Sequence, residues 1–345
     1  MVSSRLYTSP VNHPETSLIM PVHGPPSLWA PALRALCSLS PAPEQIIVVV
    51  DVPLGIDDMA TLPNGALSVT VPYASGPATA RNAGAAVAEK EIFLFVDADV
   101  VIPPDTVQRV GEEFARHPGV AALFGSYDTS PGDPDFLSQY RNLMHHYVHQ
   151  CAEEVAGTFW AGLGAIRAEA FRAIGGFDAA YGVPCIEDIE LGVRLRDAGR
   201  KIRLIKSLQG CHLKRWTPVG MLKTDLWQRG VPWMCLILAR GKARTDLNIG
   251  WASRWSTLLV YFGVALLPWG VRSIVWGGVA LTALLFVVGL NMPFYRFLAQ
   301  RRGIGFALRS IPWHLLYYLE CGLAVMLALL LHCRDLLRHK RARKS

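Results

Sequence analysis

The sequence predicts an α/β domain with a mostly parallel sheet, followed by an α-helical membrane region. Three observations predict it. Up to about residue 250, short apolar runs bounded by turn residues alternate with amphipathic stretches. After Trp251, long and almost uncharged stretches replace them. The apolar runs of the first part end in polar residues, at the edge where α/β sheets bind their ligands.

Ser17–Val22, Gln45–Asp51 and Ile92–Val96 are continuous apolar runs of strand length and read as buried strands. Pro31–Leu39 and Thr79–Ala88 are the helices expected between them, with Asp105–Arg116 after the third. Strand, helix and strand in this alternation give a parallel sheet covered on both faces. No internal repeat or low-complexity segment interrupts it.

In the C-terminal part, Trp255–Val271 and Ser273–Met292 flank a single charge, Arg272, and Pro312–Cys333 carries only Glu320 before its end. Each is close to the roughly 20 residues that cross about 30 Å of hydrocarbon as a helix. Pro268 and Gly270 allow a tight hairpin between the first two. Phe294–Ser310, with Arg296, Arg301, Arg302 and Arg309, and the basic tail from Arg334 to Lys344 read as cytoplasmic by the positive-inside rule. That rule favours two crossings, whereas hydropathy alone favours three. Trp227–Arg244 mixes Trp, Leu and Ile with Arg and Lys and reads equally as an interfacial or a core-facing helix. The resulting organisation is a cytosolic domain over 15–235, a linker or interfacial segment over 236–254, membrane helices over 255–333 and a basic tail over 334–345. The expected location is the inner or plasma membrane, multi-pass, with the first domain in the cytoplasm.

Composition excludes other classes. With 345 residues, 51% hydrophobic and 18% charged, the chain is neither disordered nor a small disulfide scaffold. Its 7 cysteines lie far apart without a C-x-x-C pair, against a structural zinc site. Residues 1–15 lack the pattern of a secretory signal. The formal charge of +7 suits an anionic membrane face or substrate. Nucleic acid is not expected, because the basic tail has no interleaved aromatics and follows an apolar stretch.

The residues that carry chemistry follow the strand ends. FLFVDADV, 93–100, ends a buried strand in Asp97 and Asp99. In an extended chain these two carboxylates share one side, suited to one divalent cation and a diphosphate. Asp51, ending the second strand, can accept hydrogen bonds from a base or ribose; Asp57 and Asp58 read as loop residues. GPATARNAG, 76–84, opens a helix with Arg81 one turn in, where it can neutralise a phosphate. GTFWAGLGAIR, 157–167, with Trp160 and Gly162, is rich in glycine and aromatics, as a backbone approaching a sugar or acceptor requires. Glu187, Asp188 and Glu190 begin a helix, either as a dipole cap or as working carboxylates. His145, His146 and His149 read as the face of a surface helix.

PVHG at 21–24, VVVDVP at 48–53, GPATARNAG at 76–84 and VDADV at 96–100 stand in the order and approximate spacing of the family 2 glycosyltransferases, which this sequence resembles. The resemblance covers roughly 15–235 and implies the A-type nucleotide-sugar fold. It implies that Pro21 and Asp51 line the nucleotide site with Arg81 nearby, and that Asp97 and Asp99 form the D-x-D metal element for Mn2+ or Mg2+. It makes Glu187-Asp188 the E-D motif, with Asp188 the general base. His212-Leu213-Lys214-Arg215-Trp216 resembles the Q-x-x-R-W element of membrane-embedded members. Arg215 is then a diphosphate contact and Trp216 a support of the acceptor entrance. His212 stands in place of Gln, as a third metal donor or as a solvent-side residue, and the change puts processive polymerisation in doubt.

The implied activity is inverting transfer of a sugar from a UDP- or GDP-linked donor to a membrane acceptor, a lipid or polyprenyl-type alcohol. Two rivals remain open. A nucleotidyltransferase would also use carboxylates and a cation, but His23-Gly24-Pro25-Pro26 is a poor version of the glycine-rich basic loop it needs. An inactive membrane scaffold of the same fold would have no use for Asp97, Asp99 and Asp188.

Overall fold

The structure is a computed structural model that describes residues 13–51, 62–241 and 250–342. Asp57, Asp58 and the end of the Trp227–Arg244 stretch lie outside the described residues. The chain forms two compact units, the first made of Met1–Ser126, Glu154–Val183 and Leu191–Gly210, the second of Tyr127–Glu153, Pro184–Glu190 and Cys211–Ser345.

The first unit is built on a sheet. Its strands are β1 (Thr16–Val22), β2 (Gln45–Val50), β3 (Leu67–Thr70), β4 (Ile92–Val96), β5 (Val100–Val101), β6 (Val120–Tyr127), β7 (Val155–Ala156), β8 (Leu163–Arg167) and β9 (Lys201–His212). The order is β3-β2-β1-β4-β8-β6-β9-β5, with β7 on β9. From β3 to β4 the pairing is parallel. At β8 it turns antiparallel to both β4 and β6, so the sheet is mixed. Leu18, Ile19, Met20, Ile47, Val48, Val49 and all of Phe93–Phe95 are fully buried, as strands covered on both faces must be. The helices between them are α1 (Pro26–Leu36) and α2 (Gly76–Ala86), each starting with a proline in its first turn, and α3 (Thr106–Arg116) follows β5. Helix α2 lies so close to the sheet that a Cβ on Gly84 would stand 2.5 Å from Ile19 Cγ2 and 2.9 Å from Val49 Cγ2. Only glycine fits there.

The second unit is helical. Helix α4 (Phe136–Cys151) contributes Leu137, Tyr140, Leu143 and Met144 to a core shared with Trp216, Phe294, Tyr295 and Leu298. Charge is buried in this unit too. Arg141, on α4, donates to Asp225, which lies in the π-helical turn Thr224–Gly230 and is only 5% exposed at its side chain. The C-terminal helices are Trp251–Gly270, Ile274–Leu290, Met292–Arg302 and Ile304–Ala342. Asn291, between the second and third, donates to Ser256 Oγ at 2.9 Å and accepts from Tyr318 Oη at 2.8 Å, tying three helices by one carboxamide.

Among the described residues, one helix, Ile304–Asp335, is long and apolar enough to cross a membrane. Ile274–Leu290 and Met292–Arg302 qualify only together, as a pair bent by 64°. The first expected span, Trp255–Val271, lies in the helix Trp251–Gly270, which is not among them because its first turns hold Arg254 and polar residues.

Candidate functional site

In the first unit the polar residues gather at the ends of the parallel strands. Pro21 lies in β1 opposite Val49 of β2. Asp51, one residue beyond β2, takes a hydrogen bond at Oδ2 from Ala74 N–H (3.2 Å) and pairs through the same oxygen with His23 Nδ1 at 2.6 Å. A carboxylate can only accept, so the His23 proton sits on Nδ1. Ala74 adopts a positive φ of 53°, a conformation that turns its N–H onto Asp51. His23 appears in the sequence only within PVHG and the His23-Gly24-Pro25-Pro26 segment, and the signal that would have drawn it out as a site residue, its pairing with Asp51, spans 28 residues.

Asp97 and Asp99 follow β4. The extended alternation expected of them does not hold, because the strand ends at Val96 and the chain turns, Val100 N–H donating to Asp97 O at 3.0 Å. Both carboxylates therefore ride on a turn between β4 and β5, half-exposed. Arg81 reaches this turn from α2, where it is 4% exposed, and its Nη2 lies 2.6 Å from Asp97 Oδ1. Asp97 N–H donates to Gly162 O at 3.1 Å, in register with the Val96–Leu163 pair of β4 and β8. The structure thus brings Arg81, Asp97 and Gly162 together. A Cβ on Gly162 would stand 2.4 Å from the Trp160 ring, which covers that backbone.

In the second unit, Glu187 and Asp188 start the helix α6 (Glu187–Asp197), which follows the short α5 (Ala168–Ala173). The two carboxylates differ. Glu187 is buried and accepts from Cys185 N–H at 3.0 Å, closing the turn that leads into the helix. Asp188 is half-buried, with Oδ1 2.8 Å from Ile189 N–H, at the positive end of the helix. The neighbouring Cys185 thiol is pushed up to about 11, first by burial.

His212 ends β9 and is 4% exposed, its ring stacked on Tyr127 at 4.2 Å and 11°. It is not a solvent-side residue. Arg215 is largely exposed and is held by acid, Nη2 lying 2.7 Å from Asp135 Oδ2 and Nε 4.0 Å from Asp133 Oδ2. Trp216 is buried in the core of this unit, with Lys214 Nζ 4.2 Å from its ring, and its backbone N–H donates to Ser138 Oγ at 2.8 Å.

The histidines of α4 do not form the expected surface face. His146 and His149 are 5% and 3% exposed. His146 Nδ1 pairs with Tyr127 O at 2.7 Å, and the His145 ring lies 4.5 Å from Tyr127 and 4.1 Å from His149. Burial holds both His145 and His146 below the ordinary imidazole value, so they are neutral at pH 7. Asp128, in the same unit, is raised, first by burial. The sequence placed these residues on one helix; only the packing against Tyr127 shows which face turns inward.

Among the described residues, no group of three or more His, Cys, Asp or Glu side chains is arranged to hold a metal. The donor chemistry of Asp97 and Asp99 nevertheless fits a hard divalent cation, since an Mg2+-like ion uses one or two carboxylates and takes its remaining ligands from substrate phosphates and water.

Residues 17–175 match the sequence model of glycosyl transferase family 2. Its fold is shared with a mannosyltransferase from Pyrobaculum calidifontis, PcManGT, solved with GDP-Man and Mn2+. The two are 18% identical with a TM-score of 0.57, over 91% of this chain and 87% of that one. GalNAc-T7, solved with UDP, GalNAc and Mn2+, aligns at 14% identity and a TM-score of 0.47 over 63% of this chain and 48% of its own. S. aureus TarS, residues 1 to 349 with UDP, aligns at 16% and 0.44 over 61% of this chain and 63% of its own. No curated protein matches the chain by sequence.

Proposed function

We propose that this protein is an inverting glycosyltransferase that moves a sugar from a nucleotide-diphosphate donor to a lipid acceptor in the membrane. The family match over residues 17–175 carries the transfer reaction. The apolar helix Ile304–Asp335 supports the membrane acceptor.

In this reading Pro21 and Asp51 border the nucleotide, and Arg81 and Arg215 offset the charge of the diphosphate. Asp97 and Asp99 would hold a divalent cation, Mn2+ or Mg2+, whose chemistry is Lewis-acid stabilisation of the leaving diphosphate; His212, stacked on Tyr127 in the second unit, is not one of its donors. Asp188 takes the proton of the acceptor hydroxyl as its oxygen bonds to the anomeric carbon, while the bond from that carbon to the diphosphate oxygen breaks and its electron pair leaves with the phosphate. A single displacement inverts the anomeric centre and needs no covalent enzyme intermediate. Trp160 and Gly162 border the acceptor, and Trp216 anchors the Arg215 segment. The first domain faces the cytoplasm, where nucleotide sugars are supplied.

The test is nucleoside diphosphate release by the detergent-purified full chain, from GDP- and UDP-sugars with Mn2+ or Mg2+, with and without added lipid extract. GDP-mannose comes first, being the donor named for the P. calidifontis neighbour. Release from one donor that lipid stimulates and EDTA stops is the expected result. Release that lipid does not change would overturn the lipid acceptor, and none from any donor would overturn the transferase reading.

A further inference from the structure

The segment Gly175–Asp178 lies far along the chain from α2, yet the two are clasped together. Asn82 Nδ2 donates to Phe177 O at 2.8 Å, and Phe177 N–H donates back to Asn82 Oδ1 at 2.9 Å. One carboxamide thus satisfies both backbone groups of one residue, as a neighbouring strand would. The turn is shaped for it: Gly176 has a φ of +72°, and a Cβ there would stand 2.7 Å from Asn82 Oδ1. The other side of the turn is held by Arg194, which donates to Ile174 O at 2.6 Å and Gly176 O at 2.7 Å.

What the clasp fixes is the Phe177 ring. It is 2% exposed, meets Phe95 edge-on at 5.2 Å, and lies 5.4 Å from the Arg81 guanidinium carbon. Arg81 therefore stands between an aromatic face and a carboxylate, Asp97, 2.6 Å away. Asn82 is the residue after Arg81 in the helix, so one turn of α2 supplies both the guanidinium and the clamp that holds the ring against it.

We propose that Asn82 is a positioning residue for the donor site: by clasping Gly176 and Phe177 it holds the Phe177 ring on Arg81 and so sets the orientation of Asp97. This rests on the reading of Asp97 and Asp99 as the residues toward the donor's cation. Residues behind a metal ligand orient it, and their loss costs metal affinity about 10- to 100-fold. A purely structural clasp would lower thermal stability and leave the metal dependence of binding alone.

The experiment measures GDP and UDP binding to the detergent-solubilised full chain by calorimetry, in EDTA and across a Mn2+ titration. Asn82→Ala should raise the Mn2+ concentration needed for nucleotide binding about tenfold, with binding in EDTA unchanged. Phe177→Leu, which keeps an apolar side chain and removes the ring face, should shift it in the same direction, and the double variant should be no worse than the more affected single one. Wild-type Mn2+ dependence in Asn82→Ala overturns the inference. Should that variant show no cooperative melt, Phe177→Leu decides in its place by the same criterion. Asp99→Ala separates the two layers: if it retains Mn2+-dependent binding, the donor-site reading fails and takes the inference with it. If it loses that binding while Asn82→Ala keeps it, the inference alone fails.

Discussion

In the first unit, Asp51 and Asp97 stand on turns that follow the buried strands β2 and β4, and the interior behind them is aliphatic and aromatic except for Arg81, which is buried against Asp97. In the second unit, charge and imidazole are part of the interior itself: Arg141 on Asp225, His146 on Tyr127, His212 stacked on the same tyrosine. The contrast teaches how far a motif can be trusted. Against an apolar scaffold, a carboxylate at a strand end has few structural duties, so chemistry is its economical explanation. Where polar groups also hold the core, the same residue types have a structural use, and each must be judged by its partners.

The sharpest way to break the comparison is Asp188→Asn. Asp188 is the carboxylate of the second unit assigned to chemistry, and its loss as general base should lower the transfer rate about 10²- to 10⁴-fold, with nucleotide binding retained. Single-turnover measurement with a fixed donor checks it; an undiminished rate would return Asp188 to the helix cap.

Arg141→Met addresses the opposite kind of charge. It leaves Asp225 buried without its cation, which should cost about 3–5 kcal/mol, whereas replacing both partners by apolar residues should recover most of that. Urea unfolding of the single and double variants reads the difference. Equal losses in both would mean that the pair is not a buried charge unit.

The smallest effect is that of pH. Burial keeps His145 and His146 below their ordinary value, so the folded state holds them neutral while the unfolded chain takes up protons near pH 6.5. Stability is then complete above that pH and falls as pH drops below it, by at most about 1.4 kcal/mol per pH unit for each group. Asp128, raised by burial, acts in the opposite sense. Unfolding at pH 7.5 and 5.5 should show the loss in the wild type and a smaller one in His145→Gln.

The legible parts of the sequence were those set by local rules. Ile92–Val96 was readable to the residue because a strand covered on both faces must be apolar throughout. The antiparallel half of the sheet was not, since Val120–Tyr127 and Lys201–His212 mix glycine, serine and charge with their apolar residues. Helix α1 begins five residues before the expected Pro31, because proline starts a helix readily and Pro26 does so here. Of the candidate site, the strand ends stood out. Its supports, the Asn82 clasp and the His23–Asp51 pair, join residues 95 and 28 apart, and local pattern does not report such pairings.

Cys185 adds a practical consequence. Electrophiles such as iodoacetamide react with the thiolate, and a thiol pushed up to about 11 is almost wholly protonated at neutral pH. Its alkylation in the native protein should be slow, and should quicken whenever the segment ahead of Glu187 loosens and the sulfur regains ordinary hydration. Alkylation of this thiol, three residues before the proposed base, is therefore expected to follow local loosening of the segment around Cys185.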